Sequence, residues 1–495
     1  MNKGKRMHGA AIVILFFGRI KDFLIPLILA FVVGGTGPNI FGFRLVFPII
    51  LAIMLIHSLL YWLTYRYSIE EGELRIKQGI FIKKNRYIRR HRVQSFDVTA
   101  GVLQRLFRLV KVRIETAGGG NEPEVEIVAV TKGEAKELRS MLLNRGTTEV
   151  HDTEAEETEE KKEEELEAHP VDYQWKLPVR DLFIAGLTSG GVGLVLSAVL
   201  ALFTQVDQLL PETFYETTLG FFVESSIFVI IILIFLITVI AWIISIFITV
   251  IKYGNFSVVK RGNDLIISRG LLETRQLTLN IKRITTVRYV ATMIRQPLGF
   301  TSVYVESAGG GSSDEQLSTL LLPLVRKKAA NEILNEIVPD YVIEKQLTPL
   351  PKRALIRFMV RAVIPVLIVV IPAAVWLPFG NWLLIFIPVA FALGWLRYKD
   401  GGHAVTKRHV IFQTRHFNLT REVVPKKRIQ SVEKSHSLFQ RRMGLCTFTV
   451  SILSTAGGKS FSVRDMAEDD GNDLYQWYSY EKETQHEKKL GQNSL

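Results

Sequence analysis

The sequence predicts a mixed architecture of membrane α plus soluble β: six transmembrane helices in three hairpins, each followed by a small basic β-rich domain that ends in a helix. Three observations lead there. Long uncharged runs alternate with polar stretches, so that a chain of 495 residues is 48% hydrophobic yet 22% charged, two compositions spliced together. Lysine and arginine gather at one set of run ends. One order of strands and turns returns three times. The implied divisions are hairpins over 1–66, 179–252 and 341–397, domains over 67–146, 253–340 and 398–482, an acidic linker over 147–178 and a tail over 483–495.

A crossing helix needs about 20 mostly apolar residues. Leu45 to Leu63, Leu182 to Val206 and Ile227 to Ile251 are uncharged and long enough to cross once each. Ala362 to Leu396 is too long for one crossing, and Pro378, Gly380 and Asn381 supply a turn. It reads as two helices of about 16 residues, or as a re-entrant hairpin, with Arg353, Arg357 and Arg361 snorkelling to the interface. In the first hairpin Arg19, Lys21 and Asp22 interrupt the apolar pattern, which predicts an interfacial amphipathic segment before a crossing over Phe23 to Phe43. Gly186, Gly190 and Gly193 fit close helix packing.

The loop from Asp207 to Glu216 holds only acids and the turn at Phe379 to Asn381 no charge, whereas Lys3, Lys5, Arg66, Arg180, Lys252, Lys352 and Arg397 flank the other ends. Lysine and arginine resist translocation, so both termini and all polar domains are expected to be cytoplasmic. The N-terminal cations resemble the start of a signal peptide, but no small-residue cleavage site follows. The formal charge is +13; Glu149 to Glu167 contributes eleven acids against Lys161 and Lys162, which leaves about +22 on the remainder. A single cysteine, Cys446, excludes an internal disulfide or a multi-cysteine metal site.

After each hairpin a tyrosine (Tyr67, Tyr253, Tyr398) opens alternating apolar residues such as Leu74–Lys77, Leu265–Ile267 and His409–Phe412, which suit half-buried strands. A basic strand follows, ending Arg92-Val93-Gln94-Ser95, Arg283-Ile284-Thr285-Thr286 or Arg428-Ile429-Gln430-Ser431. Then come a turn (Leu103-Gln104-Arg105-Leu106-Phe107; Arg295-Gln296-Pro297-Leu298-Gly299; Phe439-Gln440-Arg441-Arg442-Met443-Gly444) and a strand closing on Ala-Gly-Gly at 117, 308 and 456. A helix is expected to finish each copy: Thr131 and Glu134 have capping-box spacing before Ala135 to Leu143, Arg326 to Ile337 is apolar at helical intervals, and Asp465 to Tyr480 is weaker.

These residues resemble the bacterial pleckstrin-homology-like (bPH2) membrane protein family, the YdbS/YdbT-like group, and its triple-repeat type most closely. The resemblance covers nearly the whole chain and implies small PH-like β-barrels or sandwiches, each capped by a helix. It also implies a shorter single-repeat membrane relative, YdbS-like, as partner. The second copy departs from the pattern with Thr285-Thr286, and the third has a longer last strand.

For function, the basic positions are the candidates: Lys83, Arg86, Arg89, Arg90 and Arg92 in the first copy, Lys282 and Arg283 in the second, Lys426, Lys427, Arg428, Arg441 and Arg442 in the third. A lysine or arginine near an anionic leaflet contributes about 1 kcal/mol, so several together can dock a domain on membrane lipids through their anionic headgroups. The bland alternative is a solvated sheet face. Gly457-Gly458-Lys459-Ser460 copies the end of a phosphate loop but has Leu453 where glycine is required, and reads as a hairpin turn. His403, His409, His416 and His436 match no metal-ligand spacing. No nucleophile is matched to a base, no cofactor motif occurs, and aromatic interleaving for nucleic acid is absent. The expectation is a bacterial membrane scaffold or adaptor in envelope maintenance or stress resistance, not an enzyme. The competing readings are an enzyme acting on a lipid or envelope precursor and a transporter.

Overall fold

The structure, a computed structural model, describes residues 4–20, 40–70, 73–80, 82–116, 125–143, 171–206, 227–307, 318–342, 345–376, 380–454 and 457–479. The expected crossing over Phe23 to Phe43, the acidic linker and the first two Ala-Gly-Gly triplets lie wholly or mostly outside them. Among the described residues three helices are long and apolar enough to cross a membrane: Phe228–Tyr253, Ala354–Trp376 and Gly380–Asp400. A fourth crossing would combine Val179–Leu187 with Gly191–Ala201, bent by 55°. Thus Leu182 to Val206, expected to cross once, is bent at a break between two helices. Trp242 Nε1 donates to the Leu187 carbonyl at 3.3 Å, and the Ser189 and Ser245 hydroxyls meet at 3.1 Å, so groups freed at the break find partners on the 227–253 helix. The glycines that allow this approach are Gly186, where a Cβ would lie 3.2 Å from Ile246, and Gly191, where it would collide with Ser245; Gly190 and Gly193 face open space.

The third hairpin is longer than its uncharged core. Its first helix begins at Ala354 and so includes Arg357 and Arg361, and its second continues to Asp400. A Cβ on Gly394 would lie 3.0 Å from that of Ala362, so the two helices pack closely.

The chain forms two compact units, one ending at Leu279 and the other beginning at Asn280. In the first, β1 (Arg66–Glu70), β2 (Glu73–Gln78) and β3 (Lys84–Arg89) make a three-stranded antiparallel sheet. Next come β4 (Val93–Ala100), β5 (Leu109–Thr116), β6 (Val125–Thr131) and the helix Lys132–Leu143, whose start carries the expected Thr131–Glu134 capping bonds. Then β7 (Tyr173–Lys176) precedes the apolar helices, and β8 (Ser257–Arg261), β9 (Asp264–Arg269) and β10 (Thr274–Asn280) follow them. The sheet order is β6-β5-β4-β10-β9-β8-β7. Strands β1–β6 enclose a core of Leu74, Ile88, Phe96, Ile114 and Ile127, completed by Leu142. Met7, Ala11 and Ile14 join that core, so one face of the segment expected to be interfacial is packed on the first domain, while Val13 and Phe17 on it stay exposed.

The second unit repeats the plan. Its strands are β11 (Ile284–Ala291), β12 (Phe300–Ser307), β13 (Thr319–Arg326), β14 (Thr348–Pro349), β15 (Gly402–Val405), β16 (His409–Arg415) and β17 (Leu419–Pro425), ordered β13-β12-β11-β17-β16-β15-β14. A three-stranded sheet of β18 (Ile429–Ser435), β19 (Leu445–Ser454) and β20 (Gly457–Ala467) completes it. Phe412, Leu445, Phe448, Ile452 and Met466 form its core with Leu474 of the helix Glu468–Tyr478.

The copies are therefore not the separate small sandwiches expected from the sequence. The second-half sheet of one copy continues edge to edge into the first-half sheet of the next, β4 on β10 and β11 on β17. An unpaired edge exposes a row of backbone donors and acceptors, and the next repeat satisfies them. The two seams share one register: Phe96 faces Thr278 as Val287 faces Val423. Their charges are reversed. In the first, buried Asp97 on β4 pairs with Arg275 on β10, Nη2 to Oδ2 at 2.8 Å; in the second, Arg288 on β11 lies 3.9 Å from buried Glu422 on β17.

A further strand pairing was hidden in the sequence. Before each hairpin a short segment pairs with the first strand after it: Lys5 with Tyr67, β7 with β8, β14 with β15. The apolar segment of each copy is thus inserted between paired strands, which fixes its ends to the sheet.

Candidate functional site

Antiparallel strands joined to a spanning helix have one end near it and one end away. In the first copy β1 leaves the 40–64 helix, β2 returns, and Tyr61 of that helix donates to Gln78 at 3.5 Å. β3 then runs outward for six residues, about 17 Å at the strand rise. The chain turns at Arg90–Arg92, a single 3-10 turn, and β4 comes back. The same path holds around the 3-10 turns Ile281–Arg283 and Lys426–Arg428. What read as one basic strand is a corner between two sheets, because its chain must leave one sheet and enter the next.

This path sorts the basic candidates. Lys83, at the β2–β3 hairpin, and Arg441 and Arg442, in the short helix Leu438–Arg442, stand at span-proximal ends, with Arg86 part way along β3. Arg89, Arg90, Arg92, Lys282, Arg283, Lys426, Lys427 and Arg428 stand at the distal ends. Arg89 Nε lies 3.2 Å from Glu73 Oε1. Arg428 donates to the Lys282 carbonyl, so the second and third corners meet each other. Lys426 lies over the Trp477 ring at 5.6 Å.

The proximal ends carry a feature that the sequence reading passed over as plain turns. Leu106 is 75% exposed, Ile294 58%, Leu438 82% and Phe439 69%. All lie in the turn after the inward strand, which closes on a left-handed residue in every copy: Arg108, Gly299 and Gly444. Each turn is tied toward a span end. Arg105 donates to the Leu271 carbonyl at 2.6 Å, and the Leu271 amide donates to Ile251 of the 227–253 helix at 3.0 Å. Arg415 bridges Gln296 to the Asp400 carboxylate that ends the last span. Arg357 donates to the Ser437 hydroxyl at 3.4 Å, and Gly444 backs onto the Arg353 guanidinium. The β-hairpins beside them expose Ile82, Leu272 and Phe417, the last under Arg397 at 5.8 Å. The signal available in the sequence was apolar residues inside turns that polar residues normally fill.

Arg357 and Arg361 do not snorkel freely. Both bind the fully buried Asp465 carboxylate, Arg357 Nε to Oδ1 at 2.7 Å, and Gln440 donates to the same Oδ1 at 2.9 Å. Gln440 also closes a capping box with Ser437. Asp465 occupies a left-handed backbone position with φ of 59°, one that Asp and Asn tolerate better than most residues. Two guanidinium groups on one carboxylate outweigh the pull of the interface and join the third hairpin to the third domain.

Lys459 of the phosphate-loop-like fragment is a structural cation. It binds the Glu306 carboxylate, which Arg288 and the Ser454 hydroxyl also approach, at 3.4 and 3.3 Å. Burial lowers the Lys459 pKa. Burial, with Glu306 adding to it, pushes Glu422 in the same cluster up to about 7 against the opposing pull of Arg288 and Lys459.

The second unit also holds a cavity of about 590 Å³ beside Asp400. Among the described residues Lys327, Lys345, Arg415 and Arg421 line it with Tyr289, and Asp400 is the one acid. Burial lowers the Arg421 pKa and raises that of Tyr289 to about 12. A ligand entering there meets more cations than acids among the described lining residues, which favours an anion. Among the described residues no three His, Cys, Asp or Glu side chains gather as a metal cluster.

Three sheet-rich copies alternating with apolar helices define a repeat protein of the membrane, and the chain belongs to the bacterial PH domain family, whose model matches residues 20–146, 195–339 and 360–482. Along 97% of its length it is 33% identical to the UPF0699 transmembrane protein YdbT of Bacillus subtilis (strain 168), 99% of which is covered. No solved structure matches the chain.

Proposed function

We propose that the chain is a multi-pass membrane scaffold, six helices in three hairpins, whose cytoplasmic PH-like domains rest on the anionic inner leaflet and present their distal faces to partner proteins. It serves envelope maintenance and binds rather than catalyses; a shorter single-repeat membrane relative is a proposed partner. The observation that carries this reading is the recurrence of exposed apolar side chains, with cations among them, at the span-proximal turns of all three copies. Apolar side chains enter the acyl boundary while lysine and arginine meet the headgroups. The charged cavity beside Asp400 supports anionic lipid as ligand. The test is hydrogen exchange of the full chain in nanodiscs of zwitterionic or anionic lipid. Turns 101–107, 292–299 and 437–444 gain protection in anionic lipid, whereas 90–92 and 426–428 do not. Equal protection at both sets of turns would count against docking.

A further inference from the structure

In the seams, every β4-type strand pairs with a β10-type strand from the following copy. Two strands of these types are left at sheet edges. β3 corresponds to β10 and β17, and it ends the β1-β2-β3 sheet; β18 corresponds to β4 and β11, and it ends the β18-β19-β20 sheet. Among the described residues neither strand pairs with a strand of another copy. Both edges face outward in chemistry: along β3, Lys84, Arg86, Tyr87 and Arg89 are exposed, and along β18, Gln430, Ser431, Glu433 and Ser435.

We propose that these two edges bind each other between molecules, so that β18 of one chain pairs with β3 of a second copy of this chain in the register of the internal seams. The inference stands apart from the docking reading, since it needs no lipid contact by the domains. Carrying over the register, in which Asp97 faces Leu277 and Arg288 faces Glu422, sets Glu433 opposite Arg86 and Val432 opposite Tyr87. Glu433 and Arg86 are opposite charges directly across an antiparallel pair, a favourable arrangement. Each seam then holds one acid–base contact across it, Asp97 with Arg275, Arg288 with Glu422, Glu433 with Arg86.

Charge also selects the occupant. The cations of β3 repel most edges, as protective charges on edge strands do, and admit a strand that brings an acid to the matching position. β18 of this same chain does. Internal seams already join successive hairpin-bearing copies, so a neighbour added by the same pairing keeps its hairpins in the same membrane. The contact is head to tail, which yields a closed ring or an open row.

The test is disulfide trapping of the full chain in proteoliposomes made from this protein alone, with Cys446→Ala as background. Arg86→Cys and Glu433→Cys proteins cross-link when mixed and oxidised but not when each is oxidised alone, and a chain carrying both substitutions gives a ladder of multimers. Tyr87→Cys mixed with Glu433→Cys, one residue out of register, cross-links at least about tenfold less. Arg86→Glu abolishes association measured by chromatographic mass, and Arg86→Glu mixed with Glu433→Lys restores it. Monomers throughout would overturn the proposal, as would cross-linking of the single-cysteine proteins alone at the same yield. Loss of the cross-link on adding a purified single-repeat chain would show that another repeat, not a second copy, is the edge's occupant, and would also overturn it.

Discussion

The two ends of the sheets contrast in chemistry. At the span-proximal ends, apolar side chains stand exposed beside cations, and Asp465 ties two arginines of the third hairpin to the domain. At the distal ends, the 3-10 corners carry cations with few exposed large apolar groups, and two of those corners touch each other. Positive charge alone does not distinguish a lipid-facing end from a solvated one. The accompanying apolar residues do, because only they gain free energy by leaving water.

If the proximal end is the structural one, its variants are costly and distal ones are not. Asp465→Asn keeps the side chain's size and its tolerance of a left-handed backbone while removing the charge between Arg357 and Arg361. It lowers stability by about 3 kcal/mol, since it leaves two part-buried guanidinium groups without their carboxylate, and hydrogen exchange rises over 438–478.

The seam between the ends is sensitive to pH. Glu422 has an ordinary pKa of 4.5 and reaches about 7 when folded, so the folded chain holds the proton more tightly. Its contribution is fully present below pH 4.5, declines as pH rises to about 7, and is then lost, at most about 3 kcal/mol. Thermal unfolding of Glu422→Gln across that window shows a flatter pH profile than the parent. An unchanged profile would mean that Glu422 stays ionised in its pair with Arg288.

The smallest effect belongs to the distal corners. Lys427→Glu, at an exposed position, shifts stability by less than about 0.5 kcal/mol and leaves vesicle association unchanged. A large loss of association would move the docking surface to the corners.

Much of this fold was legible in the sequence. The repeat was readable because a strand, a left-handed turn and a second strand impose the same residue pattern each time, and the helix after β6 because its capping bonds involve residues three apart. The seams were not, because pairing Phe96 with Thr278 links residues far apart whose partners no local pattern names. The break at Thr188 depends on Trp242 and Ser245 from another helix. Asp465 sat in what read as the start of a helix, and its role needs Arg357 and Arg361 brought from about a hundred positions away. The basic candidates were found by composition, but which end each occupies depends on strand direction.

The most direct test of the contrast is depth. With Cys446→Ala as background, Phe439→Cys and Lys427→Cys carry an environment-sensitive fluorophore in proteoliposomes. The label at 439 shifts to the blue and is quenched by quenchers on lipid chains, while that at 427 responds only to aqueous quenchers. A label at 427 that lies as deep as the one at 439 would contradict the account.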